Sequence, residues 1–207
     1  NGIMRSNNGG GTWFSPGSYS GNVQALAVHP TSANPLFVAT SSGISRSVDG
    51  GATFVDVTTG VGAAYSIFLT WEGTRLWYGQ IQNVAYTDDL GATWVDANAG
   101  LFMTPMPIPL AIASDSIGNR FFGCEGNSLG SPTGGGLYKM APSQTSWKHI
   151  GFPADVVRAA AVVDVSGRII LGLGSGVWSA RPDEGFTATA WAADTRAVAI
   201  DPDNPNR

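Results

Sequence analysis

Three carboxylates stand out as candidates for chemistry: Glu125, Asp155 and Asp194. Cleavage of a glycosidic bond needs two carboxyl groups flanking it, roughly 5–9 Å apart, one to protonate the leaving oxygen and one to attack or to activate water. Glu125 and Asp155 fall in adjacent segments of an internal repeat and are the pair that could approach. Around them, Tyr19, Gln80, Gln82, Phe102, Met103, Asn127 and Asp194 are candidates for holding a ligand. Other chemistries find no support. His29 and His149 stand alone, so neither a zinc-ligand spacing nor a Ser–His–acid arrangement is indicated. Gly134-Gly135-Gly136 leads into a strand and not a helix, which argues against a phosphate cradle. Asp201, Asp203 and Asn204 read as an Asp-Pro turn without metal. No metal and no cofactor is expected.

A second set of acidic residues is regularly spaced. Ser47-Val48-Asp49-Gly50-Gly51-Ala52-Thr53-Phe54 is matched by Thr87-Asp88-Asp89-Leu90-Gly91-Ala92-Thr93-Trp94, and by Ser6-Asn7-Asn8-Gly9-Gly10-Gly11-Thr12-Trp13 with Asn in place of Asp. Trp13, Phe54 and Trp94 are 41 and 40 residues apart. Repeats of this length decide a fold. The short acid can accept hydrogen bonds from backbone N–H groups further along the turn. The glycine permits a backbone angle that a Cβ would block. The Thr and the aromatic then open the next strand, with the aromatic expected in the core. These carboxylates therefore read as structural.

The turn resembles the Asp-box, or BNR, repeat of sialidases, family 74 xyloglucanases, sortilin-type receptors and the photosystem II assembly factor. The match is close at the three turns and poorer at two more. The resemblance implies an all-β fold, a β-propeller of four-stranded antiparallel blades with Asp-box turns between strands C and D. Sialidases use three arginines and a Tyr–Glu pair, and an Arg-Ile-Pro motif before the first box; that motif is missing here. Arg5 and Arg46, each just before a box, read as structural. The xyloglucanase likeness is closer, through Ala27-Val28-His29-Pro30 and the strand and box that follow. That family's catalytic aspartates have no counterparts that can be matched residue by residue.

The elements that must position these groups follow from turn residues bounding short β runs. Gly2–Ser6 and Thr12–Phe14 form part of a blade (1–20). The first complete repeat (21–60) has strands at Val23–Val28, Leu36–Thr40, Ile44–Ser47 and Thr53–Val57. The second (61–100) has them at Tyr65–Leu69, Arg75–Gly79, Asn83–Thr87 and Thr93–Asp96. The third (107–152) runs Leu110–Ala113, Arg120–Cys124, Gly136–Met140 and Ser146–Ile150. Its box has decayed, with Pro142 at the Asp position and Trp147 at the aromatic one. The fourth (155–193) runs Val157–Val163, Arg168–Leu173 and Gly176–Ser179, then a decayed turn through Asp183-Glu184-Gly185 to Trp191. Arg196–Ile200 opens a further partial blade (194–207). The repeats are either a segment of a propeller of six to eight blades or a ring of about five whose closing blade is shared.

On this reading the D-to-A and B-to-C connections share one face and the boxes lie on the other. Two long connections, Asn98–Pro109 and Glu125–Gly135, project from the first face, as functional loops do. Asp115, Asp164 and Glu72 fall in A-to-B turns on the opposite one.

Composition narrows the partners. Of 207 residues, 43% are hydrophobic, enough for a core, and only 13% are charged, while 28 are Gly and 12 Pro. Net charge is −4 with two lysines, Lys139 and Lys148, so no basic stripe is present for nucleic acid. The single cysteine, Cys124, excludes an internal disulfide and reads as a buried strand residue. No run of 18 apolar residues suggests a membrane span. Few charges and many Gly, Ser, Thr and Trp fit an extracellular, cell-surface or virion protein. The favoured expectation is a non-catalytic extracellular module binding a glycan or a protein, within a larger surface, fibre or viral assembly. A segment of a secreted glycoside hydrolase is the alternative.

Overall fold

A computed structural model describes residues 2–17, 19–32, 35–62, 65–81, 83–101, 108–125, 135–152, 156–162, 168–181 and 185–198. Two compact units are present, Asn1–Asp96 and Ala97–Arg207. The described secondary structure is entirely β: four antiparallel sheets of four strands, each a simple meander.

The first unit holds two sheets. One contains β1 (Ala25–Val28), β2 (Leu36–Thr40), β3 (Gly43–Ser47) and β4 (Val55–Asp56); the other contains β5 (Ser66–Glu72), β6 (Arg75–Gln80), β7 (Asn83–Thr87) and β8 (Val95–Asp96). In the second unit, β9 (Ile108–Ser114), β10 (Arg120–Glu125), β11 (Gly136–Met140) and β12 (Lys148–Gly151) form one sheet. The other is built from β13 (Val157–Val162), β14 (Ile169–Leu173), β15 (Gly176–Arg181) and β16 (Gly185–Ala188).

The second strand of each sheet reads as an unbroken apolar run because it is covered on both faces. Every residue of β2 is buried, as are Phe121 to Cys124 of β10. Between the sheets of the first unit, Phe37, Ala39, Ile44, Leu69, Leu76 and Tyr78 form a continuous core. In the second unit Phe121, Leu137, Val157, Ile169, Leu171 and Leu173 do the same.

Three turns share one hydrogen-bond pattern, two of them closing β3–β4 and β7–β8 and the third the Arg5–Phe14 bridge. The Ser47 hydroxyl donates to Asp49 Oδ1 at 2.8 Å and accepts from Gly51 N at 2.9 Å. Asp49 accepts from Thr53 N at 2.9 Å and from the Thr53 hydroxyl at 2.6 Å. Thr87, Asp89, Gly91 and Thr93 repeat every bond. Asn8 keeps the bonds from Ser6 and Thr12 N, but its Nδ2 donates to Thr12 Oγ1 at 2.9 Å, so that hydroxyl turns from donor to acceptor. Gly10, Gly51 and Gly91 have φ of 92, 96 and 82°, and the residue before each is also left-handed: Gly9, Gly50 and Leu90 at 67, 72 and 58°.

Four expectations need correction. The fourth strands β4 and β8 start at Val55 and Val95, because Thr53 and Thr93 are still bonded into the turn. The aromatic after the Thr is not fully buried in these turns: Trp13 is 60% exposed, Phe54 is half-buried, and Trp94, also half-buried, packs against the core of the first unit. Only Trp147, at 4%, is buried. Residues 2–14 form a single bridge, Arg5 to Phe14, and not two strands. In the last sheet the fourth strand is β16, so Phe186 takes the aromatic position and Trp191 lies beyond it, 62% exposed.

Candidate functional site

One end of each sheet carries the fourth-to-first and second-to-third connections. In the first unit these are tied together. Val61 O accepts from Gln80 Nε2 at 2.8 Å and from Asn83 Nδ2 at 3.1 Å, and Ile81 N donates to Tyr65 O at 3.0 Å. The opposite end joins the first-to-second turns to the acidic turns, as Arg75 shows by its two bonds to Asp88, 2.8 and 2.7 Å. In three sheets the first and second strands shift register at the former end: between Ser66 and Phe68, Gly123 and Cys124, and Val157 and Ala159. Such bulges re-aim side chains and gather beside binding sites.

Two apolar side chains are open at this end of the first unit, Tyr65 at 57% and Ile81 at 41% exposure. The Ile81–Tyr65 backbone bond holds them side by side. Sequence reading missed both, having placed Tyr65 inside a strand. The available signal was that Tyr65 follows the Gly60–Gly62 connection and that Ile81 sits in a second-to-third turn, so both fall on the face already singled out.

Gln80 is 5% exposed, accepts from the Tyr78 hydroxyl at 2.9 Å and donates to Val61 O, so both ends of its amide are engaged within the fold. Tyr19 is half-buried against Phe54, ring centroids 4.6 Å apart. Gln82, Phe102, Met103, Asn127 and Asp155 lie outside the described residues. Leu101, expected at the start of an apolar loop, is buried at 5% exposure and closes a turn by donating its N–H to Asn98 O at 3.0 Å.

In the second unit, Glu125 is half-buried at the end of β10, beside Cys124. Cys124 is fully buried, and burial pushes its thiol well above the ordinary range, which makes it a poor nucleophile. Asp194 pairs with Arg158 Nε at 2.9 Å and Arg196 Nε at 3.3 Å. Desolvation pushes its carboxyl up, but the hydrogen bonds and charges of the two arginines outweigh it and hold it below the usual range.

Asp49 and Asp89 are pulled down to about 2, chiefly by the hydrogen bonds from Thr53 and Thr93. A carboxylate so held stays ionised at neutral pH and has no proton to give as a general acid. Asp115, in a first-to-second turn, accepts from Asn119 N at 2.8 Å and Asn119 Nδ2 at 2.7 Å. Among the described residues, no group of three or more His, Cys, Asp and Glu converges as a metal site, and no helix is long and apolar enough to cross a membrane.

The chain can be set beside known proteins on this geometry. No protein-family profile matches it. A xyloglucanase of Hypocrea jecorina (strain QM6a) is 36% identical over 84 residues, which is 37% of this chain and 10% of that protein. The GH74 xyloglucanase of Xanthomonas campestris superposes with a TM-score of 0.69 at 19% identity, over 87% of this chain and 34% of that one. The extracellular domain of a one component system of B. thetaiotaomicron gives 0.70 at 12% identity, over 91% and 26%. The chain thus spans a tenth of its curated relative and about a third or less of these structures. Together with the four meandering sheets, the likenesses show a β-propeller-like fold.

Proposed function

We propose that this chain is part of an extracellular β-propeller whose acidic turns are Asp-boxes and whose four sheets are blades. It works as a non-catalytic module that binds a glycan or a protein on the face bearing Tyr65 and Ile81. The observation that carries this reading is the exposed Tyr65–Ile81 pair, at the end of the β5–β8 sheet where its first two strands are bulged. An exposed aromatic ring with an aliphatic neighbour suits the apolar face of a sugar ring or a partner's side chain. The carboxylates support the same reading. Asp49, Asp89, Asp115 and Asp194 are engaged in internal bonds. Glu125 is the candidate left at this end of the second unit, with Asp155, Asn127, Phe102 and Met103 as proposed neighbours in sequence. A net charge of −4 disfavours nucleic acid; a larger assembly at a cell or virion surface remains the proposed setting.

The second reading, a segment of a glycoside hydrolase, is favoured by the 36% identity to a xyloglucanase. A glycan array and a set of extracellular protein ectodomains, probed alongside a reducing-end assay on soluble polysaccharides, separate the two. Capture of one ligand class without product supports the module. Product formation that disappears in Glu125→Gln would establish the hydrolase instead, and failure to capture anything in either screen would reject the binding role.

A further inference from the structure

Asn8 differs from its counterparts Asp49 and Asp89 in one chemical respect: its side-chain carbonyl carbon is an electrophile at neutral pH. The bonds from Thr53 and Thr93 hold the two aspartates ionised, and a carboxylate resists attack by a nitrogen. The Asn8 amide carries no such charge. A nucleophile stands next to it in the chain. Where glycine follows asparagine, no Cβ screens the backbone nitrogen, which can close a five-membered ring on the side-chain carbonyl. Asn-Gly occurs at 1–2 and at 8–9, and Asn1 lies outside the described residues.

The turn leaves that nitrogen uncommitted and polarises the carbonyl. The Asn8 and Gly10 N–H groups, on either side of Gly9, both donate to the Ser6 hydroxyl, at 3.3 and 2.8 Å. The Gly9 N–H has no acceptor among the described residues; nor have those of Gly50 and Leu90, so this belongs to the turn and not to one copy of it. Asn8 Oδ1 accepts from the Ser6 hydroxyl at 2.9 Å and from Thr12 N at 2.8 Å. Two donors on that oxygen stabilise the negative charge that gathers there as a nitrogen adds to the carbonyl, in the manner of an oxyanion hole. All these bonds lie within residues 6–12. Asn8 is exposed to water, as Asp49 and Asp89 are in their complete sheets.

We propose that Asn8 is a modification site, at which spontaneous deamidation gives the third turn the acid that its two counterparts already carry. The Gly9 nitrogen loses its proton to water and bonds to Asn8 Cγ. The Cγ–Nδ2 bond then breaks, and Nδ2 leaves as ammonia with a proton taken from water. A second water opens the cyclic imide at either carbonyl, so one amide and one water become one carboxylate and one ammonium ion. Opening at Cγ gives aspartate, whose Oδ2 can accept from the Thr12 hydroxyl as Asp49 and Asp89 accept from Thr53 and Thr93, both at 2.6 Å. Opening at the main-chain carbonyl gives isoaspartate, which lengthens the backbone of the turn by one carbon.

Incubation of the 207-residue chain in heavy-oxygen water, at neutral and mildly alkaline pH, tests this by peptide mass spectrometry. Tryptic cleavage after Arg5 separates Asn8 from Asn1. Heavy oxygen is expected to enter at residue 8, faster at the higher pH because the nitrogen attacks without its proton. Asn22, Asn83 and Asn119, followed by Val, Val and Arg, are expected to keep their amides over the same time. In Gly9→Ala the new Cβ has no atom within 4 Å, so the turn has room for it. Its hindrance of the nitrogen is expected to slow the loss at least about tenfold. Asp49→Asn places the same Asn-Gly pair in the complete β3–β4 turn and is expected to deamidate too, whereas Asp89→Asn, followed by Leu90, is expected to lag at least about tenfold behind it. Circular dichroism checks folding; should Gly9→Ala fail, the contrast between Asp49→Asn and Asp89→Asn decides. An Asn8 that keeps its amide as long as Asn22, a Gly9→Ala that loses it at the wild-type rate, or an Asp49→Asn no faster than Asp89→Asn overturns the proposal.

Discussion

Arg46 and Leu90 join consecutive sheets: Arg46 Nη1, on β3, donates to the Leu90 carbonyl, in the turn of the next sheet, at 2.7 Å. The bond recurs one repeat earlier, where Arg5 Nη1 donates to Gly50 O at 3.1 Å. The guanidinium reaches the carbonyl of the left-handed residue that precedes the turn glycine, Gly50 before Gly51 and Leu90 before Gly91. At the corresponding place on β7 stands Tyr86, whose ring lies 3.9 Å beneath the Arg75 guanidinium.

Removing the strut should loosen the first unit. Arg46→Met keeps much of the aliphatic stem and loses a charge-assisted bond, so a loss of about 1–2 kcal/mol is expected in urea unfolding. Arg5→Met, at a longer bond, should cost about half as much or less. Equal losses at both sites would show that the bond is not what holds the sheets.

The turns should be intolerant of a side chain at the second left-handed position. In Gly91→Ala the new Cβ would lie 3.2 Å from Phe37 and Val57 at a φ of 82°, and a destabilisation of about 1–3 kcal/mol is expected. Leu90→Gly is a contrast: it relieves a left-handed leucine but loses packing against the core, so it should come out within about 1 kcal/mol of wild type. Thermal unfolding of the pair checks this, and a harmless Gly91→Ala would contradict the turn geometry.

Acid should weaken the same turns. Asp49 and Asp89 have folded-state values near 2 against an ordinary 3.8. Because the folded value is depressed, their contribution is complete above about pH 4 and is lost as pH falls through about 2. Asp49→Asn should behave as Asn8 already does, keeping the bonds from the Ser hydroxyl and the Thr N–H while reversing the Thr hydroxyl. The double variant Asp49→Asn/Asp89→Asn is expected to unfold at a urea concentration less dependent on pH between 4 and 2 than wild type. An unchanged pH slope would argue against these two carboxylates as the source.

Two tryptophan bonds can be weighed separately: the Trp94 and Trp147 indoles donate to Val57 O and Ala97 O, each at 2.8 Å. Trp94→Phe and Trp147→Phe each remove one indole donor and leave a carbonyl without it. About 1–3 kcal/mol is expected for the buried Trp147 and less for half-buried Trp94. Chemical denaturation that ranks them in reverse would show that packing, not the bond, sets the cost.

Much of the fold was legible because the second strands announce themselves: Leu36–Thr40 is an apolar and β-branched run set between turn residues, and Gly43–Ser47 follows it after a two-residue turn and leads into the Ser47–Thr53 turn. The acidic turns were legible for the same local reason, since Ser47, Asp49, Gly51 and Thr53 satisfy one another within seven residues. The fate of the aromatic was not. Alternation predicts which face Trp94 takes, but not that its partner is a carbonyl 37 positions away in the preceding sheet. Gln80 shows the same limit at the candidate site. A polar residue ending a second strand looks available to a ligand, and only the tertiary approach of Val61 O reveals its engagement. Thr40, at the matching end of β2, is likewise buried, its hydroxyl donating to Gly43 O.

The central claim, binding without turnover on the Tyr65 face, is tested most directly by titration calorimetry with the captured ligand, followed by product analysis of the same sample. Tyr65→Ala is expected to weaken binding at least about tenfold, an exposed aromatic contact being worth on the order of 1–2 kcal/mol, with no product from any variant and no change in Glu125→Gln. Undiminished binding by Tyr65→Ala, or product from the wild type that Glu125→Gln abolishes, would contradict it.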